Sequence, residues 1–385
     1  MTDNNEQYEA TGERETTGGA NPKKTELKLI NDGTYGCVFH PGLTCKGATE
    51  SLKYITKISM NKRSIQNELK VSDKIKSIDG YSRFFAPVLK SCAVKIAKEH
   101  SDELLKCGIF EHVDKTAASS RSYISTKIRF VGNTDLYKYL MLNVKPNRFF
   151  YELWRTHSYV LKAINKINEN GIVHYDLKEN NIMMDKALNL PIVIDFGLSF
   201  LKSDLTAKNL ESIFFTFVDY NYWCVDIVVC SYVVNEVGVE RSKIEAVKER
   251  DLLEIYKVFL YGRVHSTDKK LTNLSFEFHS NHFSESLDAF KTKYMSYFGK
   301  FVGRTWWSVY EELIKFVDTW DNYSVAAIYT IMLKDARHAN KLVYEKILER
   351  NGKSAARYID GLKRIIYAMP NERMSINEAL QFIPK

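Results

Sequence analysis

The sequence predicts an α+β protein of two lobes, a small strand-rich N-terminal one and a larger helical one, with the chemistry at their join. Three observations carry that prediction. Residues 26–39 read strand, glycine turn, strand, a hairpin pattern. Residues 149–168 place apolar side chains at 149, 150, 153, 154, 160, 161, 164 and 167, the spacing of one helix face. Just beyond that helix, His174-Tyr175-Asp176-Leu177-Lys178-Glu179-Asn180-Asn181 is followed by Ile192-Val193-Ile194-Asp195-Phe196-Gly197.

The elements follow in order. A polar start, residues 1–25, reads as a disordered tail and carries no secretory signal. Glu26 to Ile30 forms a first strand, which turns through Asn31-Asp32-Gly33-Thr34-Tyr35-Gly36 and leaves through Cys37-Val38-Phe39. Leu52 to Ser59 alternates as a strand, and Ser64 to Ile78 has apolar residues at 65, 69, 71, 75 and 78, a helical pattern. Tyr123 to Val131 is β-rich. From Leu136 the pattern turns helical, and Gly171 stops the helix before the His174 motif. The predicted division is therefore a tail over 1–25, an N-lobe over 26–134 and a C-lobe over 135–385.

Composition bounds the function. The 385 residues are 45% hydrophobic, enough for two lobes with cores of their own. The net charge of +8 comes without a run of five or more Lys/Arg, so the excess spreads over exposed faces and no nucleic-acid partner is expected. Tyr220, Tyr222, Trp223, Trp306 and Trp307 lack the interleaved cations of a base-stacking surface and read as core. Cysteines at 37, 45, 92, 107, 224 and 230 make neither a Cys-x-x-Cys nor a zinc spacing, which predicts free thiols in a reducing compartment. No apolar run approaches the ~18 residues of a membrane span, so the expectation is a cytoplasmic protein with no membrane partner.

The residue types around the join are those phosphoryl transfer needs. Asp176 can accept a hydroxyl proton, Lys178 can neutralise a moving phosphoryl group, and Asn181 with Asp195 can hold Mg²⁺. A plainer reading, a polar loop followed by a strand and a glycine turn, requires all four positions to coincide by chance.

These residues resemble the protein-kinase family, and the Asp-Leu-Lys form of the loop resembles its Ser/Thr type. The resemblance covers about residues 27–383 and implies a protein-kinase-like fold with a nucleotide-binding N-lobe. Gly33 and Gly36 match the second and third glycines of the loop over the ATP phosphates, Asn31 stands at the first, and Val38 matches the residue packed on adenine. Lys57 in Tyr54-Ile55-Thr56-Lys57-Ile58 matches the lysine of the α/β phosphates. Glu68 is its expected acidic partner, with Asp73 as the fallback. Backbone near Lys127 to Arg129 would bond the adenine edge. Asp135 matches a ribose-binding carboxylate and equally fits a helix N-cap.

The same resemblance makes Asp176 the base that orients the acceptor, Lys178 the γ-phosphoryl cation, and Asn181 and Asp195 the metal ligands. His174 is read as structural. Tyr175 replaces the arginine that reads an activation-loop phosphate. Asp321 matches an aspartate that bonds the catalytic-loop amides from the start of a central buried helix, and Asp226 with Arg373 a buried ion pair. This placement leaves an insertion over about 228–318, helical near 243–260 and 305–317, which offers a partner surface. The long insertion and divergent motifs resemble kinases of large cytoplasmic DNA viruses. The implied function is a Ser/Thr protein kinase using ATP and Mg²⁺ on protein substrates. A nucleotide-binding pseudokinase scaffold and a small-molecule kinase of the aminoglycoside or choline type are the alternatives.

Overall fold

The computed structural model describes residues 26–33, 36–59, 62–95, 101–108, 122–217, 220–265, 271–283 and 287–385. The expected tail and the Thr34-Tyr35 tip of the glycine turn lie outside them. The chain is mixed α+β, an N-terminal antiparallel sheet followed by a mostly helical remainder. That arrangement is compatible with a kinase-like two-lobed fold.

Five strands, β1 (Lys28–Gly33), β2 (Gly36–His40), β3 (Tyr54–Ser59), β4 (Val88–Lys95) and β5 (Ser122–Arg129), form one sheet in the order β1-β2-β3-β5-β4. Gly33 pairs with Gly36 to close the first hairpin. Gly36 has φ 150°, and a Cβ there would stand 2.4 Å from the Ile58 carbonyl of β3, so only glycine lets these strands meet. Asn31 is no turn residue. It pairs with Val38 inside the ladder, just past a bulge.

Helix α1 (Lys62–Lys76) packs on β4 and buries Ile65, Glu68, Val71, Ser72 and Ile75. Ser72 Oγ takes the Val88 amide at 3.1 Å, tying helix to sheet.

The free-thiol expectation is corrected for four of the six cysteines. Cys37 bonds Cys107 and Cys45 bonds Cys92, with Cα atoms 6.0 and 5.9 Å apart. Partners 70 and 47 residues apart leave no local spacing to read. Such bonds fit an oxidising environment rather than a reducing one. Cys224 and Cys230 stay as buried thiols. Peptide mapping without reductant is expected to recover both linked pairs, and each bond is worth about 2–5 kcal/mol of stability that reductant removes. Four unlinked thiols in that map would overturn the pairing.

In the helical part, Phe149–Glu169 turns its predicted apolar face inward. Trp320–Ala339 is buried on every side from Trp320 to Leu333, as a helix at the centre of a core must be. The 228–318 stretch supplies Glu249–His265, Leu274–Phe283, Leu287–Phe298 and Trp306–Leu313. Its Leu252, Phe276, Phe290 and Trp306 belong to one hydrophobic cluster with Phe150, Leu161 and Ile328. The helix expected from 243 begins only at Glu249, because Val247 exchanges backbone hydrogen bonds with Gly303 and Arg304 and holds that segment extended. Among the described residues, no helix is long and apolar enough to cross a membrane.

Candidate active site

Three elements bring charge to one point. Directly opposed residues of neighbouring strands share a face of the sheet. Asn31, Val38, Lys57 and Thr126 stand in such a row across β1, β2, β3 and β5. Lys57 Nζ lies 2.8 Å from Asp195 Oδ1 and 3.5 Å from Glu68 Oε2 of α1. Asp73 turns away and pairs with Lys76. Burial works against the Lys57 ammonium, but Asp195 and Glu68 more than offset it and push its pKa up. Burial likewise disfavours the Asp195 carboxylate, and Lys57 overrides that to hold it below the usual range. Burial pushes the Glu68 carboxyl up, and Lys57 pulls it back only in part. A Cβ at Gly197 would stand 3.2 Å from Asp195 Oδ1 and 3.3 Å from Lys57 Nζ, so glycine there leaves room for the pair.

The loop at 174–181 is fixed from beneath. Asp321, at the start of the buried helix, accepts the amides of His174 at 2.7 Å and Tyr175 at 3.0 Å. The His174 ring bonds the Ile194 carbonyl through Nε2 at 3.1 Å, a structural contact. Tyr175 and Asp195 hold φ of 70° and 58°. Such left-handed backbone is costly for a side chain with a Cβ and persists where the surroundings impose it. The Ile194 amide bonds the Asn181 carbonyl at 2.9 Å, which sets Asp195 beside the loop.

Asp176 is surrounded by donors. Lys178 Nζ is 3.0 and 3.3 Å from its two oxygens, Asn181 Nδ2 is 3.0 Å from Oδ2, and the Tyr220 hydroxyl donates to Oδ1 at 2.8 Å. Asn181 also donates to the Asp176 carbonyl, so both its amide hydrogens are spent and its Oδ1 is the atom left to meet a cation. Asp195 uses Oδ1 for Lys57 and the Gly197 amide. An amide oxygen and a carboxylate oxygen are the hard donors Mg²⁺ takes, so the residues present fit that ion.

One sequence-level reading changes here. Lys127 and Ile128 pair with β3 on one side and β4 on the other, so their backbones are not free to bond a base. The chain leaves the ladder after Arg129, the Phe130 amide goes to the Lys53 carbonyl, and the open edge begins at Val131. Asp135 caps a short helix, with Oδ1 accepting the Lys138 amide at 2.7 Å and Oδ2 facing Lys138 Nζ at 3.0 Å.

Sequence reasoning also missed two groups. Trp223 and Trp306 are buried, as core residues should be, but Tyr220 and Tyr222 are half-buried. Tyr220 bonds Asp176, and Tyr222 bonds Glu179 at 2.5 Å. Burial and then the adjoining carboxylates push both phenols up, so they remain donors. Their separation in sequence from the loop, 44 and 43 residues, left nothing to signal the contact.

No protein-family profile matches the chain. Over 177 residues it is 36% identical to NUAK family SNF1-like kinase 2 of Rattus norvegicus, a match covering 45% of this chain and 22% of that kinase. The chain thus spans under a quarter of that relative's length. The match supports a kinase relationship and carries nothing of the likeness to viral kinases.

Proposed function

We propose that the chain is a serine/threonine protein kinase that moves the γ-phosphate of ATP to protein hydroxyls. The observation that carries this reading is the joining of two charged groups, Lys57–Glu68–Asp195 and Asp176–Lys178–Asn181, by the Asn181–Ile194 backbone bond. In this reading Lys57 holds the α/β phosphates. Asn31, Gly33 and Gly36 border the phosphates, and Val38 covers the base. The backbone at Val131–Asn133 bonds the adenine edge, and Asp135 serves its helix first and the ribose second.

Asp176 accepts the proton of the incoming hydroxyl, and Lys178 takes up charge at the moving phosphoryl group. Asn181 Oδ1 and Asp195 would hold Mg²⁺, which when bound neutralises phosphate charge. Most of the rate comes from positioning and preset charge. The test is transfer of label from γ-labelled ATP to casein and a basic protein, followed by phosphoamino-acid analysis. Phosphoserine or phosphothreonine is expected; no transfer to any protein would leave a nucleotide-binding scaffold instead.

Tyr175 bears on control. It is 2% exposed and packs on Phe200, Phe214 and Trp223 at ring distances of 5.4, 6.1 and 4.9 Å. Trp223 Nε1 also donates to the Tyr175 carbonyl at 2.9 Å. Apolar packing thus ties loop to segment where an arginine would need a phosphate. Phosphatase treatment is expected not to silence the enzyme, checked by mass spectrometry of residues 198–225. An enzyme silenced by losing a phosphate there would contradict it.

A further inference from the structure

The hydroxyl that sits on Asp176 belongs to the chain itself. We infer that Tyr220 is an acceptor in its own right, phosphorylated in cis by the active site that holds it. The inference rests on the kinase reading and adds a second acceptor class, a tyrosine within the same molecule.

Three observations support it. Tyr220 donates to Asp176 Oδ1 at 2.8 Å, the reach a general base needs from the proton it removes. The ring is held in place, with its centroid 5.1 Å from Tyr222 and 5.3 Å from Trp223. The segment behind it is anchored, since Ser324 Oγ donates to the Tyr222 carbonyl at 2.7 Å and Trp223 Nε1 to that of Tyr175 at 2.9 Å. The alternative role for a half-buried tyrosine, apolar packing alone, does not need its hydroxyl on a carboxylate that already carries Lys178 and Asn181.

The step balances with a nucleoside triphosphate as donor. The phenolic oxygen forms a bond to the γ-phosphorus, and the bond from that phosphorus to the β–γ bridging oxygen breaks. The electron pair leaves on the nucleoside diphosphate, and the phenolic proton passes to Asp176 and then to solvent. Because the acceptor is already in place, the reaction needs no encounter with a second molecule.

The test uses the full chain, first treated with phosphatase, then incubated with Mg-ATP and casein over a range of protein concentrations and mapped by mass spectrometry. Phosphate on Tyr220 with a first-order rate independent of protein concentration is expected. Asp176→Asn should gain none, even when mixed with wild type, and Tyr220→Phe should lack the phosphotyrosine. Casein labelled while Tyr220 stays unmodified overturns the inference and leaves the kinase reading standing. Label on Tyr220 of the Asp176→Asn chain in the mixture shows transfer between molecules and overturns it too. No label on either substrate removes both.

Discussion

Replacing Asp176 with Asn is expected to lower kcat for transfer to protein hydroxyls by about 10²–10⁴-fold, the usual worth of a positioned acid–base group. The substitution keeps the size and one oxygen of the side chain, so Lys178, which reaches both positions, retains an acceptor, while the new NH2 faces either Tyr220 at the Oδ1 position or Asn181 at the Oδ2 position. It removes the charge and the ability to take a proton. Lys57, Glu68 and Asp195 are untouched, so KM for ATP and the nucleotide-induced thermal shift should stay near wild type. A fall in kcat at constant KM marks an interaction made only in the transition state. Lys57→Met should behave differently. It leaves Glu68 and Asp195 facing each other without their cation, so nucleotide binding and stability both suffer. If Asp176→Asn turns over within the same order of magnitude as wild type, Asp176 has no part in the chemistry.

Much of this site could be read from the chain because its residues are chemically distinctive. An aspartate, a lysine and an asparagine at fixed spacing can be recognised even when their partners are far away. Asp321 meets the His174 amide across 147 residues, and both ends were legible because each lies in a patterned segment. Helices and strands were legible from their periods, and errors arose where tertiary contacts decide the ends. The β-rich run from Tyr123 continues to Val131, yet the ladder stops at Arg129, which moves the free backbone edge past the residues first assigned to it. The helix expected from 243 is shortened by a backbone bridge to Gly303 and Arg304. Cysteines carry less information than carboxylates here. Any of the six could pair with any other, and only the sheet that sets Cys92 on β4 and Cys37 on β2 decides between them. Tyr220 is the plainest case, since one tyrosine among 23 has nothing in its neighbourhood to announce a contact with Asp176.

Asp226→Ala is expected to cost about 3–5 kcal/mol of folding stability, the range for breaking a buried ion pair from one side. Arg373 Nη2 lies 2.7 Å from Asp226 Oδ1 and Nη1 lies 3.1 Å from Oδ2, with both side chains 0% exposed. Trp320 Nε1 donates to the same carboxylate at 3.2 Å, and Arg373 Nη1 also reaches Thr319 Oγ1 at 2.9 Å. Removing the carboxylate strands a guanidinium, which is charged at any accessible pH, with only the Thr319 hydroxyl and the face of the Tyr323 ring, 5.6 Å away, beside it. Arg373→Ala strands the carboxylate with one indole donor and should cost a similar amount. The double substitution should cost clearly less than the sum, because neither charge is then left alone. Arg373→Lys should not restore stability, since an ammonium cannot make the two parallel bonds. The effect should reach the active site along a short path. Trp320, held by Asp226, precedes Asp321, which carries the amides of His174 and Tyr175 and so sets the angle at which Asp176 is presented. Phosphoryl transfer in Asp226→Ala is therefore expected to fall below what the folded fraction alone would give. Urea unfolding gives the first quantity, and initial rates corrected for folded protein give the second. A midpoint equal to wild type would show that the pair does not hold this part of the core together, and a corrected rate equal to wild type would confine its role to stability.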